Sequence, residues 1–132
     1  MYGFFGLPSA GDGGGSASIE TIQALGSKTS AFTVDFAAGS LATVTLGANV
    51  TMSLADWGSA TQSKHCTVRV QQDPSTPRTL TLGGSNITSS AGILSSGDAV
   101  PVTAVANAVD YLEFLWDGAK WAVTNALFDV KS

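Results

Sequence analysis

Residues 31 to 123, apart from the weakly patterned stretch 83–108, alternate between apolar and polar side chains, and turn-forming residues interrupt the alternation about every ten positions. A period of two places every second side chain on one face of a β-strand, whereas an amphipathic helix requires a period of about 3.6. Short strands at this spacing are typical of antiparallel all-β domains. The alternation therefore predicts an all-β fold, an antiparallel, jelly-roll-like β-sandwich or barrel, without a long helix.

Turn residues inside this region predict where the strands reverse. Gly47-Ala48-Asn49 separates the alternating segments Leu41–Leu46 and Val50–Leu54, which predicts a hairpin. Between Asp73 and Pro77 two prolines cannot donate to a strand ladder, so this stretch predicts a turn. The segment Thr79–Leu82 is then expected to return beside the preceding strand.

The three tryptophans fall into two groups. Trp116 and Trp121 flank Asp117-Gly118, a dipeptide that is a strong hairpin signal between two aromatic strands. We expect both rings to close one end of the core across this hairpin. Trp57 lies in a predicted loop, where it is expected to be the most exposed of the three. It is interpreted as a contact in a subunit interface or, alternatively, as a contact to a glycan.

The first 30 residues differ from the rest of the chain. They contain a glycine-rich run, Gly11–Ser16, and lack the strand alternation. The chain is therefore divided into an extended N-terminal arm, residues 1–30, and a β-sandwich domain, residues 31–132. We hypothesise that a neighbouring chain holds the arm through its large apolar side chains, which are Tyr2, Phe4, Phe5 and Leu7.

The charge content limits the function classes. The chain has 132 residues, enough for one domain with a hydrophobic core, and only 12% of them are charged. With a net charge of −4 and 6 scattered basic residues, binding to nucleic acid is not expected. No apolar run reaches the roughly 20 residues of a membrane span, and the N-terminus lacks a basic signal-peptide start, so we expect no membrane partner and synthesis in a cytosol. A surface this poor in Lys and Glu is typical of one that other protein covers.

Residues that could perform catalysis are few and poorly placed. His65, the single histidine, neighbours the single cysteine, Cys66, but adjacent residues of a strand point to opposite faces. Asp110 and Glu113 are an odd number of positions apart, so they are also expected on opposite faces, which does not suit a catalytic carboxylate pair. One histidine and one cysteine do not make a zinc site. We therefore expect no enzymatic activity, no metal and no cofactor.

Several segments carry a family resemblance: Phe32–Phe36, Leu41–Leu54, Val68–Asp73 with Arg78–Leu82, and Asp110–Phe114 with Asp117-Gly118 and Trp121. Through these segments, residues 31–123 resemble a family of small β-rich virion proteins of tailed bacteriophages. Similar modules occur in tail fibres, minor tail proteins and head decoration proteins, and their shared motifs carry no catalytic residues. The Gly- and Ser-rich stretch 83–98 departs from the family, whose members more often have a Trp-Pro-rich segment there.

The resemblance implies a head decoration, or cement, protein that binds the outer surface of the capsid and clamps neighbouring major capsid protein subunits. It also implies a virion location and a homo-oligomer, with a trimer favoured by analogy. The contacts expected for this role are Tyr2, Phe4, Phe5 and Leu7 on the arm, with Trp57 as a secondary contact. The alternative is a tail or tail-fibre module that contacts host receptor glycans. A small glycan-active enzyme is the least favoured interpretation, because no matched acid and base are found.

Overall fold

The computed structural model describes residues 21–88 and 93–128, and these residues form nine β-strands and one short 3-10 turn. The strands are β1 (Gln23–Lys28), β2 (Phe32–Val34), β3 (Leu41–Leu46), β4 (Val50–Leu54), β5 (Lys64–Gln71), β6 (Leu80–Leu82), β7 (Ala99–Val100), β8 (Val109–Trp116) and β9 (Trp121–Leu127). The 3-10 turn, Phe36–Ala38, follows Asp35, whose carboxylate accepts a hydrogen bond from the Ala37 N–H at 2.9 Å. The described chain is thus strand-rich, as the alternation predicts.

The strands form two sheets, and both sheets contain parallel and antiparallel pairs. One sheet has five strands in the order β9-β8-β5-β3-β1, with parallel pairing among β5, β3 and β1 and antiparallel pairing of β8 with both neighbours. The other has four strands in the order β2-β4-β6-β7, parallel except between β6 and β7. The predicted antiparallel sandwich or barrel is therefore not confirmed, because the sheets are mixed and do not close into a barrel.

From β1 to β6 the chain alternates between the two sheets, so each strand arrives parallel to the one two places before it. Parallel neighbours require such a crossover, because a tight turn joins only antiparallel strands. The hairpin predicted between Leu41–Leu46 and Val50–Leu54 is wrong, since Gly47-Ala48-Asn49 carries the chain from one sheet to the other. The return predicted for Thr79–Leu82 is wrong for the same reason: β6 pairs with β4 instead of β5.

The hairpin at Asp117-Gly118 is confirmed and joins β8 to β9. Trp116 pairs with Trp121, and the Asp117 N–H donates to the Lys120 carbonyl at 3.1 Å. Asp117 Oδ1 accepts from the Lys120 N–H at 2.9 Å, and this hydrogen bond is the main cause that lowers the pKa of Asp117. Gly118 has a φ of +102°, which a residue without a Cβ adopts easily. The turn is therefore specified locally by two adjacent residues.

One hydrophobic core lies between the sheets and contains inward side chains from both of them. Trp116 and Trp121 belong to this core beside the hairpin, with ring centroids 5.4 Å apart at an interplanar angle of 62°. Trp121 Nε1 donates to the Ala55 carbonyl at 2.9 Å, and Trp116 Nε1 donates to the Ser59 carbonyl at 2.6 Å. Each indole thus fills core volume and also holds the loop that follows β4.

Strand β1 lies within residues 1–30, the segment predicted to be an arm. It pairs in parallel with β3 and has an irregularity in register at Gly26, where φ is +73°. Bulges of this kind are common on edge strands. Residues 1–20 lie outside the described residues, so the described part of the predicted arm belongs to the five-stranded sheet.

Candidate interaction surface

The five-stranded sheet has one face in the core and one face directed outward. The alternating burial along β3, β5 and β8 identifies the outward side chains. Within this set only Arg69 and Glu113 carry a formal charge at pH 7. We call the set the outer face, and it consists of Leu41, Thr43, Thr45, His65, Thr67, Arg69, Gln71, Tyr111, Glu113 and Leu115.

A groove with a volume of about 630 Å³ crosses the outer face. A groove of this size is within the range of ligand pockets, about 300–1,000 Å³. Thr21 and Ile22, the residues that precede β1, line one part of it. Ile22 is 56% exposed, a value similar to those of Ile93 and Val105 outside the groove. The outer-face residues in the lining are Leu41, His65, Thr67, Tyr111 and Glu113.

Strand pairing determines which groups meet in the groove. Thr67 lies directly opposite Glu113 in the antiparallel pair of β5 and β8, where opposite Cβ atoms are about 4.5–5.5 Å apart. Leu41 lies beside Thr67 on the other side, and Tyr111 lies one outward position from Glu113. The groove therefore combines hydroxyl groups, one imidazole, one carboxylate and apolar surface. This composition suits an uncharged, amphipathic occupant.

The groups considered for catalysis take the orientations that the alternation predicts. Cys66 is buried in the core with 3% exposure, whereas His65 is exposed on the outer face. Asp110 is buried and Glu113 points outward. Within residues 21–88 and 93–128, no group of three or more His, Cys, Asp or Glu side chains could hold a metal ion. In those same ranges, no helix is long and apolar enough to cross a membrane.

Trp57 lies in the loop between β4 and β5, as predicted, and is less buried than Trp116 and Trp121. Its ring packs against the core, and Lys64 Nζ lies 3.9 Å from the ring centroid, which is a cation–π contact. The same Nζ donates to the Phe36 carbonyl at 2.9 Å. Trp57 Nε1 is buried without an acceptor in the described part of the chain. The role of Trp57 as a partner contact stays a prediction.

Gln72 is a buried polar residue, 2% exposed, that the strand pattern does not single out. Its amide nitrogen donates to the carbonyls of Arg78 and Thr103, both at 3.1 Å. Its amide oxygen accepts from the N–H groups of Asp73 and Arg78, both at 2.9 Å. These contacts use both donors and both lone pairs of the side chain. Gln72 thereby fastens the loop after β5 to the segment after β7.

Asp73 organises the turn that follows β5. Its Oδ1 accepts from the N–H groups of Ser75 at 2.8 Å and Thr76 at 3.0 Å, and its Oδ2 accepts from Arg78 Nε at 3.0 Å. The hydrogen bond from Ser75, followed by those from Thr76 and Arg78, holds the pKa of Asp73 well below its usual value. The predicted turn between Asp73 and Pro77 is confirmed.

The predicted partner contacts lie mostly outside the described residues. Tyr2, Phe4, Phe5 and Leu7 all fall within residues 1–20, so their interactions stay predictions. The groove was not predicted, because period two places Tyr111 and Glu113 on one face without indicating which strand lies beside them. Comparison of the chain with protein-family models, with curated proteins and with solved structures finds no match.

Proposed function

We propose that the chain is a head decoration, or cement, protein of a tailed bacteriophage. It binds the outer surface of the capsid as a homo-oligomer, with a trimer preferred, and clamps neighbouring major capsid protein subunits. In this proposal the two mixed sheets correspond to the jelly-roll-like sandwich of the virion modules that residues 31–123 resemble. The arm contributes its anchors, Tyr2, Phe4, Phe5 and Leu7, and Trp57 is a secondary contact.

The observation that carries this proposal is the low charge of the outer face. Arg69 and Glu113 are its charged members, and they lie on the neighbouring strands β5 and β8 with opposite signs. Two charged residues among the ten of the outer face make one-fifth, just below the about 25–35% of a designed solvent-exposed surface. Covering hydroxyl and apolar groups costs less desolvation energy than covering charges. The composition of the outer face therefore suits contact with protein.

An outer face with few charges also fits a cement protein that binds through many weak contacts. Each arm or surface contact can be weak, because an oligomer presents several of them to the shell at once. Linked contacts raise the overall affinity by about 10²–10⁴-fold when the geometry allows simultaneous binding. The clamp then resists the pressure of the packaged DNA through many small contributions.

A tail or tail-fibre module that contacts host glycans is the second candidate. The groove favours it, because Tyr111 offers an aromatic ring, while Glu113 and Thr67 offer hydrogen-bonding groups to sugar hydroxyls. The partly exposed ring of Trp57 is a further aromatic surface. Both candidate functions use the same fold. They differ in the partner that contacts the groove and Trp57, which is capsid protein for a cement protein and host glycan for a tail module.

Particles made without this protein separate the two candidates. A cement protein predicts that such particles release their DNA at a lower temperature or after milder osmotic shock, and that they adsorb normally to the host. Added purified protein should restore the stability, whereas the variant Phe4→Ser/Phe5→Ser should restore less of it than the control variant Ile93→Ser, which changes an exposed residue outside the groove. Normal stability with lost adsorption would support the tail candidate and contradict the cement proposal.

A further inference from the structure

The groove on the outer face leaves part of its apolar lining exposed. Ile22 at the groove is 56% exposed, and Leu41 and Tyr111 add further apolar surface. Concave sites that combine apolar lining with a few polar groups are common binding sites for small ligands and for peptide segments. The uncharged segment Tyr2–Leu7 matches the apolar part of this lining, since it contains four large apolar or aromatic side chains and two glycines, and the Tyr2 hydroxyl adds a hydrogen-bonding group for its polar part.

We propose that in the free protein this groove binds the segment Tyr2–Leu7 of the same chain. The chain before β1 reaches the groove directly, because Thr21 and Ile22 are themselves part of its lining. Leu7 and Thr21 are separated by 14 positions, 21 minus 7. At about 3.4 Å per residue, that length spans up to roughly 48 Å.

The tether is long enough for any position in the groove. From β1 across β3 and β5 to β8 there are three strand spacings, each about 4.8 Å, which gives roughly 14 Å. A segment joined to its site by a short stretch of chain also has an effective concentration of the order of millimolar. A segment from a separate copy, outside the same oligomer, has only its bulk concentration, which is far lower in dilute solution. The groove is therefore filled from its own chain before a partner is present.

This inference goes beyond the proposed function and gives the arm two alternative binding sites. Before assembly the segment Tyr2–Leu7 covers the groove, and on the capsid the same side chains are the proposed shell contacts. Binding to the shell then requires the segment to leave the groove. The bound segment thus prevents the free protein from self-associating through the apolar surface of the groove.

Disulfide trapping in the full-length chain tests this contact. In a Cys66→Ala background, the pair Phe4→Cys/Thr67→Cys places one thiol on the segment and one in the groove. The matched control is Phe4→Cys/Thr45→Cys, because Thr45 lies on the outer face but not in the groove lining. At micromolar protein under mild oxidation, we expect the intramolecular disulfide to form at least tenfold faster in the first pair than in the control.

Equal rates in the two pairs would overturn the proposal, and so would disulfide-linked dimers as the main product, which would assign the groove to a neighbouring copy. A second measurement covers the case in which the cysteine variants fail to fold. The full-length variant Phe4→Ser/Phe5→Ser should bind a hydrophobic dye several-fold more than the control variant Ile93→Ser, and equal dye binding would contradict the proposal. Neither test uses phage particles, so its result is separate from that of the cement proposal.

Discussion

Replacement of Gln72 by Ala should lower the free energy of unfolding by about 3 kcal/mol. The side chain makes four hydrogen bonds to backbone groups of two loops, and it is 2% exposed. Each such bond has a net value of about 0.5–1.5 kcal/mol, and truncation also leaves backbone donors and acceptors unpaired. Water can reach some of these part-buried loop groups, which keeps the estimate below the upper limit. The loss is large against a typical total stability of about 5–15 kcal/mol.

Urea denaturation followed by tryptophan fluorescence measures this effect, because Trp116 and Trp121 are buried in the core. With an m-value of about 1–3 kcal/mol per molar urea, the midpoint should fall by at least about 1 M. Gln71→Ala is the matched control, since that neighbouring amide is half-buried and has only 3.5 Å contacts, and it should cost less than about 0.5 kcal/mol. Gln72→Met retains most of the volume and should resemble Gln72→Ala. A Gln72→Ala midpoint equal to that of the control would refute the assignment of Gln72 as the link between the two loops.

Three further changes probe other parts of the fold. The pKa of Asp73 is lowered from its usual 3.8, because the folded state favours the carboxylate form. The Asp73 carboxylate therefore stabilises the fold above about pH 4, and this contribution is lost as the pH falls towards the lowered pKa. Urea midpoints between pH 6 and 2 should therefore fall less steeply in Asp73→Asn than in the natural chain, and parallel curves would contradict this. Gly39→Ala should cost more than about 2 kcal/mol in thermal denaturation, because φ is +152° and a Cβ would overlap the Thr21 carbonyl oxygen; a neutral result would exclude that close approach. Trp57→Phe should cost about 1 kcal/mol or less, since its indole N–H has no acceptor in the described part of the chain, and a loss above 2 kcal/mol would reveal a missed hydrogen bond.

Local signals in the sequence predicted the elements that depend on adjacent residues. The hairpin at Asp117-Gly118 formed as expected because its Asp side chain and its Gly φ complete the turn without help from distant residues. The turn at Asp73 is local for the same reason. The alternation also placed Cys66 in the core and His65 outside it, since period two needs only the strand itself.

Strand partners were not predictable in this way. Gly47-Ala48-Asn49 has the composition of a hairpin turn, but Asn49 Oδ1 accepts from the distant Thr79 N–H at 3.0 Å, and the chain crosses to the other sheet. A turn dipeptide cannot distinguish a reversal from a corner between sheets, because both need small or polar residues with permissive backbones. The groove depends on the pairing of β3, β5 and β8, so it was beyond sequence reasoning. Gln72 was missed because its partners lie in loops that only the fold brings together.

The cement proposal is tested most directly by what the arm touches in an assembled particle. A photo-crosslinking amino acid at Phe4, with one at the exposed Val105 as the control position, would be activated in intact phage, and mass spectrometry would identify the attached protein. We expect the crosslink from Phe4 to reach the major capsid protein, at a yield well above that from Val105. Crosslinks from Phe4 that reach only tail proteins, or no other virion protein at all, would contradict the proposal.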